Sequence, residues 1–85
     1  MKKIQILGIY VNDRVKEVEK IQSVLTKYGC VIRTRLGIHS QEETYAADGG
    51  LILLELDGDT EECNRLEREL RNIPELEVQA MEFSK

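Results

Sequence analysis

The stretch Leu51-Ile52-Leu53-Leu54, set between Gly49-Gly50 and Asp57-Gly58-Asp59, decides how this chain is read. Bounded by turn signals and too short for a helix, it reads as a strand over residues 49–57. It is apolar on both alternating faces, the mark of a central strand with material against each side. Working outward, residues 3–11 are rich in Ile and Val and form a first strand, and residues 31–39 form a second. Residues 76–83 alternate as a fourth.

The intervening segments carry the helical period. Val15, Val18, Ile21, Leu25 and Tyr28 make one apolar stripe, with Asn12 as its N-cap, Asp13 in the first turn and Gly29 as a left-handed stop. Cys63, Leu66, Leu70 and Ile73 make a second stripe. Asp59 and Glu62 have capping-box spacing before it, and Pro74 ends it. On its outer face Glu61–Arg65, Arg65–Glu69 and Glu67–Arg71 stand at i,i+4, worth about 0.2–0.5 kcal/mol each and no function. The order is βαββαβ. Two right-handed crossovers then give an α+β, ferredoxin-like sandwich, a four-stranded antiparallel sheet of order 4-1-3-2 with both helices on one face.

Alternation divides the sheet residues between two faces. Leu7, Ile9, Val11, Ile32, Leu36, Ile38, Ile52, Leu54, Leu56, Leu76, Val78 and Ala80 belong under the helices. Ile6, Gly8, Tyr10, Arg33, Arg35, Leu51, Leu53, Glu55, Gln79, Met81 and Phe83 fall on the open side. That side is too apolar for a solvated surface, since monomers rarely expose contiguous patches above a few hundred Å². The expectation is a dimer or tetramer formed through Ile6, Tyr10, Leu51, Leu53, Glu55, Met81 and Phe83, with Arg33 and Arg35 pairing Glu55 at the rim. The alternative is a one-residue slip in the first and fourth strands, which leaves the third strand apolar on both faces.

Composition narrows the function classes. The 85 residues suit one domain over 1–85, with a single Pro and no low-complexity linker. Asp and Glu total 16 against 12 Lys and Arg, a net charge of −4, so there is no electrostatic case for nucleic acid or anionic lipid. No apolar run is long enough for a membrane span and no signal peptide is recognisable, which points to the cytoplasm. Cys30 and Cys63 form no C-x-x-C pair and read as small buried hydrophobes, with a redox pair as the alternative. No cofactor is expected. No nucleophile–base pair shows distinguishing spacing, so the chain is not expected to be an enzyme.

The segments Ile9-Tyr10-Val11-Asn12-Asp13-Arg14, Arg35-Leu36-Gly37-Ile38-His39, Gly50-Leu51-Ile52 and Val78-Gln79-Ala80-Met81-Glu82-Phe83 together resemble a family of small proteins described as iron-only hydrogenase system regulators. The resemblance implies an ACT-like regulatory domain, similar in fold to the C-terminal domain of the nickel-responsive repressor. Such domains assemble into dimers or tetramers and hold small effectors or metal at interfaces. The chain departs from amino-acid-binding ACT domains at Asn12-Asp13-Arg14-Val15, which lacks their Gly and Pro, and from the nickel-responsive domain in having one His.

Five residues are candidates for effector binding. Asn12 and Asp13 sit where a helix start could hold an anion, although capping accounts for both. Arg33 and Arg35 could clamp a carboxylate or phosphate. His39 opens the long loop after the second strand, and metal binding there needs a second subunit, because both cysteines belong at the opposite end of the sheet. A ligand-free adaptor and an intersubunit metal sensor are the competing readings.

Overall fold

The computed structural model describes residues 3–12, 14–38 and 50–84. Strand β1 (Lys3–Val11), helix α1 (Val18–Lys27), a 3-10 turn (Gly29–Val31), strand β2 (Ile32–Ile38), strand β3 (Gly50–Leu56), helix α2 (Thr60–Arg71) and strand β4 (Glu77–Ser84) follow in order. The sheet runs β2-β3-β1-β4, with every neighbouring pair antiparallel. This is the ferredoxin-like order 4-1-3-2 read from the other edge.

The core lies between the helices and one sheet face. Leu7, Ile9 and Val11 of β1, Leu54 and Leu56 of β3 and Val78 of β4 meet Ile21, Val24 and Leu25 of α1 and Cys63, Leu66 and Leu70 of α2. Leu7, Ile9, Leu54, Leu66 and Leu70 are completely inaccessible to solvent, and such burial contributes about 1.5–3 kcal/mol per side chain. Ile32, Ile52 and Leu76 are partly buried against this cluster. Ala80 keeps its expected register opposite Leu7 yet is exposed, because it stands on the edge strand.

Helix α2 has complete local support. Asp59 Oδ1 accepts the Glu61 N–H at 3.0 Å, a cap worth about 1 kcal/mol. Glu61 and Glu62 lie in its first turn and Arg68 and Arg71 in its last, each matching the helix dipole. The reciprocal half of the expected capping box is replaced by a Glu62–Arg65 pair at 2.5 Å. Glu61–Arg65 (3.5 Å) and Glu67–Arg71 (2.9 Å) form as expected. Glu69 turns instead toward α1, accepting from Lys27 Nζ at 3.2 Å and from the Tyr28 hydroxyl.

Three sequence expectations are corrected. Asn12 does not cap α1. Its Oδ1 accepts from the Arg14 N–H at 2.8 Å and its carbonyl from the Val15 N–H at 3.2 Å, closing a turn that carries Val15 into the core. The helix starts later, after Glu17, with no side-chain cap. Gly29 is not a left-handed stop either: α1 ends at Tyr28 and passes into the 3-10 turn, and the described glycines with positive φ are Gly50 and Gly58.

The third correction bears on function. Strand β2 carries a register break, with Ile32 opposite Leu56 but Thr34 opposite Glu55. Arg33 is thus the extra residue of a β-bulge. One extra residue inverts the parity of everything that follows. Leu36 and Ile38 therefore stand on the open face, beside Leu53 and Leu51, while Arg35 faces the helices opposite Leu54. Arg35 does not line the rim beside Glu55: its Nη2 donates to Gln22 Oε1 of α1 at 3.0 Å.

Candidate functional site: the open face of the sheet

Register assembles the open face row by row. Ile38, Leu51, Tyr10 and Glu77 form one cross-strand row, and Leu36, Leu53, Gly8 and Gln79 the next. Thr34, Glu55, Ile6 and Met81 follow, and Ile4 with Phe83 completes the sequence of rows. The apolar residues run as a diagonal band from Ile38 on one edge strand to Phe83 on the other. Polar residues occupy the remaining two corners, Thr34 with Glu55 and Gln79 with Glu77.

This band is wet in the single chain. Leu36 is 52% exposed, Ile38 42%, and Met81 and Phe83 51% each. Ile4, Ile6, Tyr10, Leu51 and Leu53 are half-buried by their neighbours in the sheet. A shallow depression of about 380 Å³ opens over Gly8, walled by Tyr10, Leu51, Leu53, Ala80 and Met81 and edged by Glu77 and Gln79. Among the described residues the face carries two carboxylates and no base. Glu55 accepts from Thr34 Oγ1 at 2.9 Å, which draws it toward the β2 edge.

The expected effector residues do not converge. Asn12 stands at the end of β1, where its Nδ2 donates to the Glu75 carbonyl at 3.3 Å, and Glu75 itself holds a φ of 67°. Arg33 stands toward the opposite end of the sheet, 3.7 Å from Asp57. Arg35 is on the helix side. Asp13 and His39 lie outside the described residues. Beside Asn12 a cleft of about 710 Å³ runs between Arg14, Lys16, Glu17, Pro74 and Glu75. Two of these lining residues, Arg14 and Glu75, form an ion pair at 3.9 Å.

Cys63 is buried and Cys30 is exposed, which corrects the reading of both as buried hydrophobes. Both thiols are free. Burial, with help from the Asp59 and Asp57 charges, pushes the Cys63 thiol up and away from a reactive thiolate. Among the described residues no group of three or more His, Cys, Asp or Glu side chains is placed to hold a metal ion. No described helix is long and apolar enough to cross a membrane.

Leu36, Ile38 and Ile4 are the apolar members of the face that sequence reasoning missed. The bulge concealed the first two, and no residue in Ile32-Arg33-Thr34-Arg35 announces it. Ile4 extends the period-two pattern of Ile6 and Gly8 and was legible from alternation alone.

Comparison with known proteins follows the same outline. The solved structure of the uncharacterized protein TM1266 from Thermotoga maritima superposes with a TM-score of 0.78 at 26% identity, covering 98% of this chain and all (100%) of that one. A "putative PII-like signaling protein" from Thermus thermophilus gives 0.54 at 13% identity, over 95% of this chain and 86% of that one. A dimeric ferredoxin-like protein of unknown function from Thermobifida fusca gives 0.50 at 15%, over 98% and 91%. The latter two establish likeness of fold alone. Comparison with curated protein sequences gives no match. Residues 3–80 match the TM1266-like family, described as "Iron-only hydrogenase system regulator, putative", and the chain belongs to that family.

Proposed function

We propose that this chain is a non-enzymatic, ACT-like regulatory module, serving an iron-only hydrogenase system as its family description says. It works as a homo-oligomer, with the open sheet face against a second copy and a small effector held at a subunit interface. One observation carries the reading: a continuous apolar band on the sheet face that no described helix covers, with Leu36, Met81 and Phe83 each about half exposed. At roughly 25 cal/mol per Å², covering even ~400 Å² of it contributes on the order of 10 kcal/mol gross, comparable to the whole stability of a small domain.

Size-exclusion chromatography with light scattering tests the assembly. The wild-type chain is expected as a dimer or tetramer, and Phe83→Glu and Leu36→Glu as folded monomers. A wild-type monomer at every concentration would overturn the reading. Thermal shift against amino acids, nucleotides and divalent cations tests the effector, because a ligand selective for the folded state raises Tm. A rise with one of these supports an effector-binding module. No rise with any of them favours a ligand-free adaptor.

A further inference from the structure

The middle of β1 holds a residue that a single copy of the chain does not require. Gly8 lies in a central strand between Leu7 and Ile9. A glycine there weakens the strand, and its usual reasons are a positive φ, a bulge, or the close approach of another group. The first is absent, since Gly50 and Gly58 are the described glycines with positive φ. The second is absent too, because β1 pairs with both β3 and β4 without a register break around Gly8. Nor do the described residues crowd a side chain out: among them an added Cβ would meet only Leu53 Cδ2, at an ordinary 3.6 Å. Close approach from outside is the reason left. The depression over Gly8 is where such a group would enter.

Ile6 stands beside that depression, on the same strand and the same face. We propose that a second copy packs with its β1 antiparallel across this β1, about a two-fold axis crossing at Leu7, so that Ile6 of each copy fills the hollow over Gly8 of the other. This rests on the homo-oligomer reading above and adds the axis and the contact. Residues two apart on a strand are about 6.6 Å apart, so Ile6 and Gly8 lie equally far from an axis at Leu7. An isologous interface needs that reciprocity, each residue meeting the site that its own copy offers in return.

Area also points to a second copy that fits closely. Four strands at ~4.8 Å and seven residues at ~3.3 Å give a flat footprint of about 440 Å². Two such faces bury on the order of 1,000 Å² once side-chain relief is counted, the lower limit for a stable interface and sufficient only with good complementarity. Glu55 shares its row with Ile6 and is drawn toward the β2 edge by Thr34, and Glu77, on edge strand β4, lines the outer side of the hollow.

Exchange of bump and hollow tests this arrangement. Gly8→Ile places two bumps together at each contact, and Ile6→Ala leaves two hollows. Each variant alone should self-associate about 100-fold more weakly than wild type by sedimentation equilibrium, with unchanged circular dichroism. Mixed one to one, they should form a heterodimer within about ten-fold of wild-type affinity, since the Gly8→Ile bump of one meets the Ile6→Ala hollow of the other while the second contact remains native. If Gly8→Ile folds poorly, Gly8→Ala serves in its place, folded and about ten-fold weaker in association. A wild-type dimer that Gly8→Ile or Gly8→Ala leaves intact, or a mixture that stays monomeric, overturns the axis and spares the oligomer reading. A wild-type monomer overturns both.

Discussion

The two faces of this sheet are built from similar residues and end in opposite states. On β3, Leu54 is fully buried beneath the helices, while Leu53, its neighbour in the chain, lies half-covered on the open side. Both are leucines in one strand, so composition and propensity cannot separate them. What separates them is which side α1 and α2 occupy. Apolar content predicts that something will cover a surface, and topology decides whether the chain itself can do so.

The largest effect that would sharpen this contrast is a pair of truncations made in a Phe83→Glu monomer. Leu54→Ala should cost about 2–5 kcal/mol in urea unfolding, because a fully packed site cannot collapse around the void. Leu53→Ala should cost less than about 1 kcal/mol there, since half of its surface is already wet. Equal losses would mean that the open face is as tightly packed within one copy as the inner one.

A smaller effect belongs to the helix layer. Glu69 accepts from the Tyr28 hydroxyl and from Lys27 Nζ, and these bonds hold its carboxyl below the usual carboxylate range. The same bond to Glu69 holds the Lys27 ammonium and the Tyr28 phenol above their ordinary values. A carboxylate with a lowered folded-state pKa contributes stability that is present above its unfolded value and lost as pH falls through the folded one. The raised Lys27 and Tyr28 contribute in the opposite sense, fully below their unfolded values and progressively less as pH rises through the folded ones. Stability should therefore decline at both acid and strongly alkaline pH. Glu69→Gln should flatten the acid limb in a Tm-against-pH series.

The smallest effect is chemical and needs no variant. Cys30 should react with a thiol reagent in the native state and Cys63 only on unfolding, because one is exposed and the other is buried with its thiol pushed up. Equal native rates would show that the core around α2 opens freely.

The inner face was largely legible in the sequence. Leu7, Ile9, Val11, Leu54, Leu56 and Val78 follow period two, and Cys63, Leu66, Leu70 and Ile73 follow the helical period, so the pattern and the core coincide. The open face was legible on β1, β3 and β4 and misplaced on β2. The reason is local: a bulge needs no special residue, and Arg33 is as acceptable in the regular strand as in the bulge. Asn12 misled for a related reason, since the same side chain that caps a helix also closes a turn, and the need to bring Val15 into the core selected the turn. The effector candidates Asn12, Arg33 and Arg35 were chosen by residue type, and only the register reveals that they point to different parts of the molecule.

The extra residue at Arg33 has a consequence for how this surface could change over time. Because Arg33 is surplus to the pairing, deleting it would leave Ile32 opposite Leu56 and Thr34 opposite Glu55 and only straighten the strand, with Leu36 and Ile38 still outward. Keeping Arg33 and pairing it with Glu55 in a regular strand would instead turn Leu36 and Ile38 inward and bring Arg35 out beside Leu53, exchanging grease for charge on one edge of the exterior. The sticky flank therefore survives loss of that codon and is shed only if the full-length strand is ironed flat.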